Sequence, residues 1–232
     1  MTSSPASEAF RAEAAALGAV AAGLAEPDLR RPSPCPPWTI ADLLCHVVIA
    51  SGRVDQAVQA AAGASPAAPL ATAAGYYRPD ARFSAAVNAD RIDVATALAD
   101  RLRTPEAIHA QLIAACQHNL AILEAAPRDQ RARTRHGDLM LLTDFAVTRV
   151  LELGVHGLDL AVGLDRQPWL TGEAAGVLER LLLPDGTDAA ALAARLGCDR
   201  AGLIARLTGR VPLSAADQAT LASAGVHPLA LG

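Results

Sequence analysis

The chain has 232 residues, enough for one domain with a sizeable core, or for one domain with a smaller appendage. Hydrophobic residues make up 52% of it but aromatic residues only 3%, because alanine dominates, and alanine favours helices over strands. A net charge of -4 gives no electrostatic footprint for nucleic acid or an anionic membrane surface. We therefore expect an all-α fold with neither of these partners.

The N-terminal residues 1–10 lack the charged and apolar regions of a signal peptide. No uncharged apolar run approaches the length of a bilayer span. These two observations predict a cytoplasmic protein.

Apolar periodicity and capping residues predict five longer helices. They cover approximately residues 8–25, 39–54, 83–102, 104–126 and 143–163. The second begins with a capping box of Thr39 and Asp42, and the fourth with Thr104 followed by Pro105. Between the helices lie a proline-rich connection (31–38), a flexible loop (61–74) and a polar, irregular segment (128–138). Four of these helices are long enough for a bundle.

Shorter helices follow Pro168, at residues 171–183, 188–196, 199–207 and 214–222. They predict a small, mainly helical C-terminal appendage. We accordingly divide the chain into a bundle (1–165) and an appendage (166–232). No strand pattern is long enough to assign, although a short ribbon near 209–213 stays open.

The fifth helix carries a narrow line of polar residues in an otherwise apolar sequence. Arg149, Glu152, His156 and Asp159 follow each other at intervals of three, four and three, so they share one face. Glu152 and His156 lie one turn apart and could bind one ion together. The alternative is a line that faces water, with Arg149 and Glu152 forming an ordinary ion pair.

A third candidate ligand is His46, which lies one turn from Leu43 and Ala50 on the second helix, beside its apolar stripe. With Glu152 and His156 it makes a His-His-Glu set. Catalytic zinc sites use three such ligands and leave one position open for water or substrate. A single core histidine is also common, and an iron(II) triad uses the same ligand types, so spacing alone leaves these alternatives open.

Two segments resemble motifs of a known family. Residues 33–46 (SPCPPWTIADLLCH) are similar to the PTPCxxWTVxDLLxHV stretch of the maleylpyruvate isomerase-like, mycothiol-dependent family, and residues 151–159 (LELGVHGLD) to its ExxxHxxD helix. The resemblance implies a DinB-like four-helix bundle and a divalent metal ion, expected to be zinc, on His46, Glu152 and His156. It also implies mycothiol as the thiol cofactor and a small electrophile as substrate.

A third segment, residues 203–210 (LIARLTGR), is similar to a stretch ending in Gly-Arg near the C-terminus of many family members. In the isomerase a C-terminal arginine is thought to help bind the acidic ligand, and Arg210 is the corresponding cofactor-binding candidate here. The isomerase has a C-terminal α/β domain, however, whereas this tail predicts short helices. The substrate therefore need not be maleylpyruvate.

The resemblance also suggests a mechanism. The thiol of mycothiol loses its proton at the open metal position and attacks an electrophilic carbon. Isomerisation follows if the thiol is later expelled, and transfer if it stays. Asp159 is a candidate to orient a ligand imidazole, or is a salt-bridged surface residue; Arg149 either fixes a substrate carboxylate or pairs with Glu152.

Two other functions remain open, a metal-dependent hydrolase that uses bound hydroxide and a non-catalytic bundle that binds a small molecule or metal in stress or resistance. A monomer and a homodimer are equally compatible with the sequence.

Several other polar residues are interpreted without a function. Glu106 and His109 match one Glu-x-x-His motif of a di-iron bundle, but the second motif is missing, which favours a solvated face. Cys45 adjoins His46, yet consecutive helical residues point about 100° apart, so core packing is expected. The cysteines form no C-x-x-C pair, which predicts free thiols. His118, His136 and His227 have no partner pattern.

Overall fold

The structure is a computed structural model that describes residues 3–77 and 84–229. Its helices are α1 (Pro5–Ala22), α2 (Glu26–Leu29), α3 (Ile40–Ser51), α4 (Arg53–Ala60), α5 (Ala73–Tyr76), α6 (Ala85–Leu102), α7 (Pro105–Ala125), α8 (Leu142–Gly163), α9 (Gly172–Leu182), α10 (Ala189–Arg195), α11 (Arg200–Leu207) and α12 (Ala215–Ser223). Two short strands, β1 (Arg131–Arg133) and β2 (Leu139–Leu141), pair antiparallel between α7 and α8. The all-α prediction is confirmed.

Capping residues fix where the helices begin. The Thr39 side chain accepts from the Asp42 backbone N–H, and the Asp42 carboxylate accepts from the Thr39 N–H, so the predicted capping box opens α3. Thr104 caps α7 through its side chain alone, which accepts from the Ala107 backbone N–H. The predicted second helix is interrupted at Gly52, after which α4 continues. The first helix ends at residue 22, earlier than predicted, and the predicted start of the third at Phe83 lies outside the described residues.

The four-helix bundle consists of α1, α3, α7 and α8, and α6 packs across α3 and α7. α8 is buried around most of its circumference, with Leu151, Leu153 and Leu160 at 1% exposure or less. Each such leucine stabilises the fold by about 1.5–3 kcal/mol relative to an exposed one. Among the described residues, no helix has both the length and the apolar composition needed to cross a membrane.

The interpretation of residues 128–138 as irregular is wrong, because they include β1. Ala132 of β1 lies opposite Met140 of β2, and both are fully buried. The Arg133 side chain donates to the Ala60 carbonyl, which attaches the hairpin to the end of α4. Three residues are too few for a strand period to be recognised in the sequence. The ribbon considered near 209–213 is not formed, since this described stretch is turn and irregular backbone.

The C-terminal appendage consists of the four predicted short helices, α9 to α12. Thr171, Asp188, Asp199 and Ser214 cap them through side-chain hydrogen bonds. α9 packs directly on α1 and α8, and α11 packs on α8 and α9. The boundary at residue 165 stays a prediction, because apolar residues on both sides of it belong to one continuous core.

Candidate metal centre

The polar line of α8 faces the interior of the protein. Arg149 and Asp159 are each 2% exposed, and the side chains of His156 and Glu152 are 11% and 22% exposed. The alternative of a water-facing stripe is therefore wrong. Polar groups in such surroundings need partners that offset the loss of hydration, and each of the four has them within the described residues.

His46 on α3 reaches the same point as Glu152 and His156 on α8. Its Nε2 atom lies 3.3 Å from Glu152 Oε2, and His156 Nε2 lies 3.5 Å from that same oxygen. Two ligand atoms bound tetrahedrally to one zinc ion are about 3.3 Å apart, given metal–ligand distances of about 2.0–2.2 Å. The three ligand atoms lie within 4.8 Å of one another. The donor set therefore fits a single divalent cation.

Burial and hydrogen bonds shift the pKa values of these ligands in opposite directions. Burial lowers the pKa of His46 to about 4, so its ring is neutral at pH 7 and available to a cation. Burial raises the pKa of Glu152, but hydrogen bonds from the two histidines outweigh it and hold that pKa well below its usual range. For His156, burial lowers the pKa, whereas hydrogen bonds to Asp159, Cys35 and Glu152 raise it well above its usual range. The surroundings of His156 thus favour a bound positive charge.

Asp159 orients the His156 ring. His156 Nδ1 donates to Asp159 Oδ2 at 2.8 Å, which leaves Nε2 as the nitrogen that faces Glu152. Arg210 Nε lies 3.3 Å from Asp159 Oδ1, and the Cys35 thiol donates to Asp159 Oδ2 at 3.3 Å. Asp159 is therefore a buried acceptor for the imidazole, and the alternative of a surface aspartate is wrong.

Arg149 supports Glu152 from the other side. Its Nη1 donates to the Ala50 carbonyl at 3.1 Å, its Nε donates to Thr148 Oγ1 at 3.1 Å, and its Nη2 lies 3.8 Å from Glu152 Oε1. The guanidinium carbon also lies 4.8 Å from the Phe145 ring centroid. Of the two roles considered for Arg149, this geometry matches pairing with Glu152.

The segment before α3 covers His46. The Trp38 ring stacks on the His46 ring, with centroids 4.7 Å apart and an interplanar angle of 29°. The His46 and His156 rings meet edge to face at 4.9 Å. The motif of residues 33–46 thus contributes a ligand, an aromatic ring that covers it and the Cys35 thiol.

The three ligands line one cavity of about 560 Å³, which is within the usual range for small-molecule sites. Its walls come from residues 34–38, α3 to α6, the hairpin, α8, α11 and the turn at 209–211. Arg149 and Asp159 both line it, and ten residues of α-helix separate them by about 15 Å. The cavity therefore has two ends, with the His-His-Glu set between them.

Three residues considered outside this site lie where a structural role predicts them. Cys45 is fully buried in the hydrophobic core, as expected, and burial raises the pKa of its thiol to about 12. Glu106 is exposed in the first turn of α7. His118 contacts Asp55 at 3.2 Å on the surface. All four cysteines are free thiols, and Cys45 and Cys116 are buried.

Comparison with protein-family models identifies the sequence as related to known proteins. Residues 10–161 match the mycothiol maleylpyruvate isomerase N-terminal domain. The chain belongs to this family. The resemblance found in residues 33–46 and 151–159 is thereby confirmed, and the match includes His46, Glu152 and His156 but stops before Arg210. None of the curated proteins matches the chain.

The fold agrees with the family. The crystal structure of the mycothiol-dependent maleylpyruvate isomerase is similar with a TM-score of 0.50 and 14% sequence identity. The similarity covers 83% of this chain and 72% of that chain. At this identity the similarity establishes the DinB-like bundle, and the chemistry depends on the residues of the cavity.

Several cavity residues were not identified from the sequence. Cys35 had a usable signal, because it lies in the same motif as His46. Arg53, Arg91 and Arg135 had none, since they come from α4, α6 and the hairpin turn and meet only in the folded chain. His136 also lines the cavity, with its ring centroid 6.0 Å from that of Tyr76.

Proposed function

We propose that this protein is a metal-dependent enzyme that uses a low-molecular-weight thiol, mycothiol, in its reaction with a small electrophile. The thiol serves as nucleophile or cofactor, for sulfur transfer or for thiol-assisted isomerisation. The main support is the convergence of His46 Nε2, Glu152 Oε2 and His156 Nε2 on the wall of the cavity. Membership in the mycothiol maleylpyruvate isomerase family supports the choice of thiol.

In this proposal, His46, Glu152 and His156 hold the cation. Two imidazoles and one carboxylate suit zinc and also suit iron(II), so the donor set leaves these two metals to experiment. When bound, the ion supplies a Lewis acid that lowers the pKa of a thiol at its open position.

The other residues of the cavity hold the ligands in place. Asp159 accepts the Nδ1 proton of His156 and so fixes the ring orientation. Arg149 lies beside Glu152 and adds to the hydrogen bonds from the two histidines that keep this carboxylate ionised. Trp38 covers His46 and excludes water from that side. Arg210, at the Asp159 end of the cavity, is the proposed contact for the thiol cofactor.

The chemistry then depends on what the thiol does after it attacks an electrophilic carbon in the cavity. If the carbon–sulfur bond breaks again after rotation about a neighbouring bond, the substrate is isomerised and the thiol is returned. If the bond stays and the adduct takes up the proton that the thiol released, the thiol is added to the substrate; if another group leaves that carbon, the thiol replaces it. A hydrolase on the same bundle would need no thiol, and a non-catalytic binding protein would bind ligands without turnover.

The test is to measure metal content by elemental analysis and mycothiol binding by calorimetric titration. The protein as purified is compared with the His46→Ala/Glu152→Ala/His156→Ala variant. We expect one metal ion per chain and mycothiol binding in the native protein, and loss of both in the variant.

A matched control removes the same residue types elsewhere. The Glu106→Ala/His109→Ala/His118→Ala variant changes one glutamate and two histidines of α7, and it should keep both metal and thiol. Metal without thiol binding would support the hydrolase or the binding protein instead. A native protein that binds no metal even when supplied with zinc or iron(II) would contradict the site itself.

A further inference from the structure

The Arg149 end of the cavity contains three arginines in addition to Arg149, which pairs with Glu152. Arg53 from α4, Arg91 from α6 and Arg135 from the hairpin turn all line it, and we refer to these three as the arginine cluster. Within residues 3–77 and 84–229, no carboxylate lies within ion-pair distance of any of the three. Glu152, the acidic group of this region, is already occupied by two histidines and Arg149.

The three guanidinium groups are close enough to affect one another. Burial and the charges of Arg135 and Arg149 lower the pKa of Arg53 to about 10, and burial and Arg91 lower the pKa of Arg135. Arginine side chains carry a positive charge at pH 7. Like charges in a partly enclosed cavity repel each other, and they concentrate anions from solution. An anion that enters the cavity would relieve this repulsion.

A polar atom beside the cluster is also without a partner. Asn88 lines the cavity from α6, one turn before Arg91, and its side-chain Oδ1 is shielded from solvent. No described residue forms a hydrogen bond with this atom. Because the two ends of an amide can exchange by a half-turn, Asn88 can present its NH₂ group to a bound oxygen.

We infer that the arginine cluster binds the oxyanion end of the electrophilic substrate, a carboxylate or a phosphate. Guanidinium groups match the planar carboxylate and the phosphate oxygens with paired hydrogen bonds. Arg210 lies at the opposite end of the cavity, beside Asp159, so the two ends carry separate cationic groups with the metal ligands between them.

This arrangement would hold the electrophile by one end and present its reactive carbon to the metal ligands. It names the substrate class of the same site, and its catalytic meaning rests on the proposed function. Binding of the anion, in contrast, depends on the arginine cluster alone. The two ideas can therefore fail separately.

The experiment is calorimetric titration of the full-length protein, as purified, with succinate, inorganic phosphate and the neutral succinamide at low ionic strength. The test variants are Arg53→Gln/Arg91→Gln and Arg135→Gln. The matched control is Arg128→Gln/Arg180→Gln, which removes two exposed arginines outside the cavity and makes the same change in net charge. Metal content and mycothiol binding are measured on every variant.

We expect either succinate or phosphate to bind, and the one that binds identifies the oxyanion. Its affinity should fall by roughly tenfold or more in the double variant, the loss expected for charge-assisted hydrogen bonds, and by less in Arg135→Gln. The control should bind as the native protein does, and succinamide should not bind. Should the double variant fail to fold, Arg135→Gln provides the test, because Arg135 lies on the hairpin turn and is not part of the hydrophobic core.

Two results would overturn the inference. One is that neither anion binds the native protein; the other is that the anion binds equally well to all the arginine variants, as it would if it sat on the metal ion. In either case, intact metal and thiol binding would still support the proposed function.

Discussion

Two helices of this bundle carry a glutamate and a histidine close together, and only one of the pairs lies in a site. On α8, Glu152 and His156 meet His46 from another helix, and each has a further partner in the core. On α7, Glu106 is exposed in the first turn and His109 is half-buried, and no metal-ligand cluster of the described residues includes them. Residue type and spacing are therefore insufficient to make a site. What distinguishes α8 is a ligand from a second helix and buried groups that fix both side chains.

The largest effect is expected from removing such a supporting group. Asp159→Asn takes away the carboxylate that accepts the His156 Nδ1 proton, which weakens the imidazole as a ligand. We expect metal affinity to fall by about 10–100-fold, measured by competition with a chromophoric chelator. Asp55→Asn is the control, because Asp55 contacts the exposed His118 in the same manner. Equal metal affinities in the two variants would show that the buried Asp159 carboxylate does not strengthen His156 as a ligand.

An intermediate effect on stability is expected at a tightly packed position of α8, in comparison with an exposed position of α7. A Cβ added to Gly163 would lie 2.6 Å from Cδ1 of Ile40, which is fully buried. Gly163→Ala should therefore lower the free energy of unfolding by about 1–2 kcal/mol, since the overpacking outweighs the better helix propensity of alanine. On the exposed face of α7, Ala110→Gly should lower it by about 0.5–1 kcal/mol through propensity alone. Urea unfolding measures both; a stabilised Gly163→Ala protein would contradict the packing argument.

The smallest effect is expected in the pH dependence of stability, where the carboxylates of Glu152 and Glu13 differ. Glu152 has cationic partners and a lowered pKa. Glu13 on α1 is fully buried, and among the described residues it accepts hydrogen bonds only from the Thr171 N–H and hydroxyl. Burial is the main cause that raises the pKa of Glu13. A raised pKa of an acid favours the protonated form in the folded state. The contribution of Glu13 to stability is thus present below the pKa of the unfolded state and is lost as pH rises through the pKa of the folded state.

The corresponding experiment uses Glu13→Gln, which keeps the acceptor for Thr171 and cannot ionise. Relative to this variant, the native protein should lose stability as pH rises from about 4.5, by about 1.4 kcal/mol for each pKa unit between the folded and unfolded states. Urea unfolding from pH 4 to pH 8 gives the two curves. Parallel curves would mean that Glu13 ionises as it does in water.

Much of the fold could be predicted because its signals are local. The capping box of Thr39 and Asp42, the Thr104-Pro105 start and the four caps of the appendage each act within one helical turn. The β1–β2 hairpin could not be predicted, because its strands are three residues long and are held by contacts with the end of α4. The interruption at Gly52 and the early end of α1 at Gly23 both fall at glycines in the C-cap position, a local signal that the apolar periodicity did not reveal.

The sequence by itself determined the longer helices and the short helices after Pro168, the candidate ligands His46, Glu152 and His156, and, through two short motifs, the family. These are properties of residues near one another in the chain, where periodicity and spacing are informative. Only the tertiary structure decided that the polar line of α8 faces a cavity, that Asp159 and Arg149 are buried beside the ligands, and that three arginines gather at one end. The reason is physical: burial and the meeting of charges depend on which helices pack together, and the arginine cluster comes from segments that lie far apart along the chain.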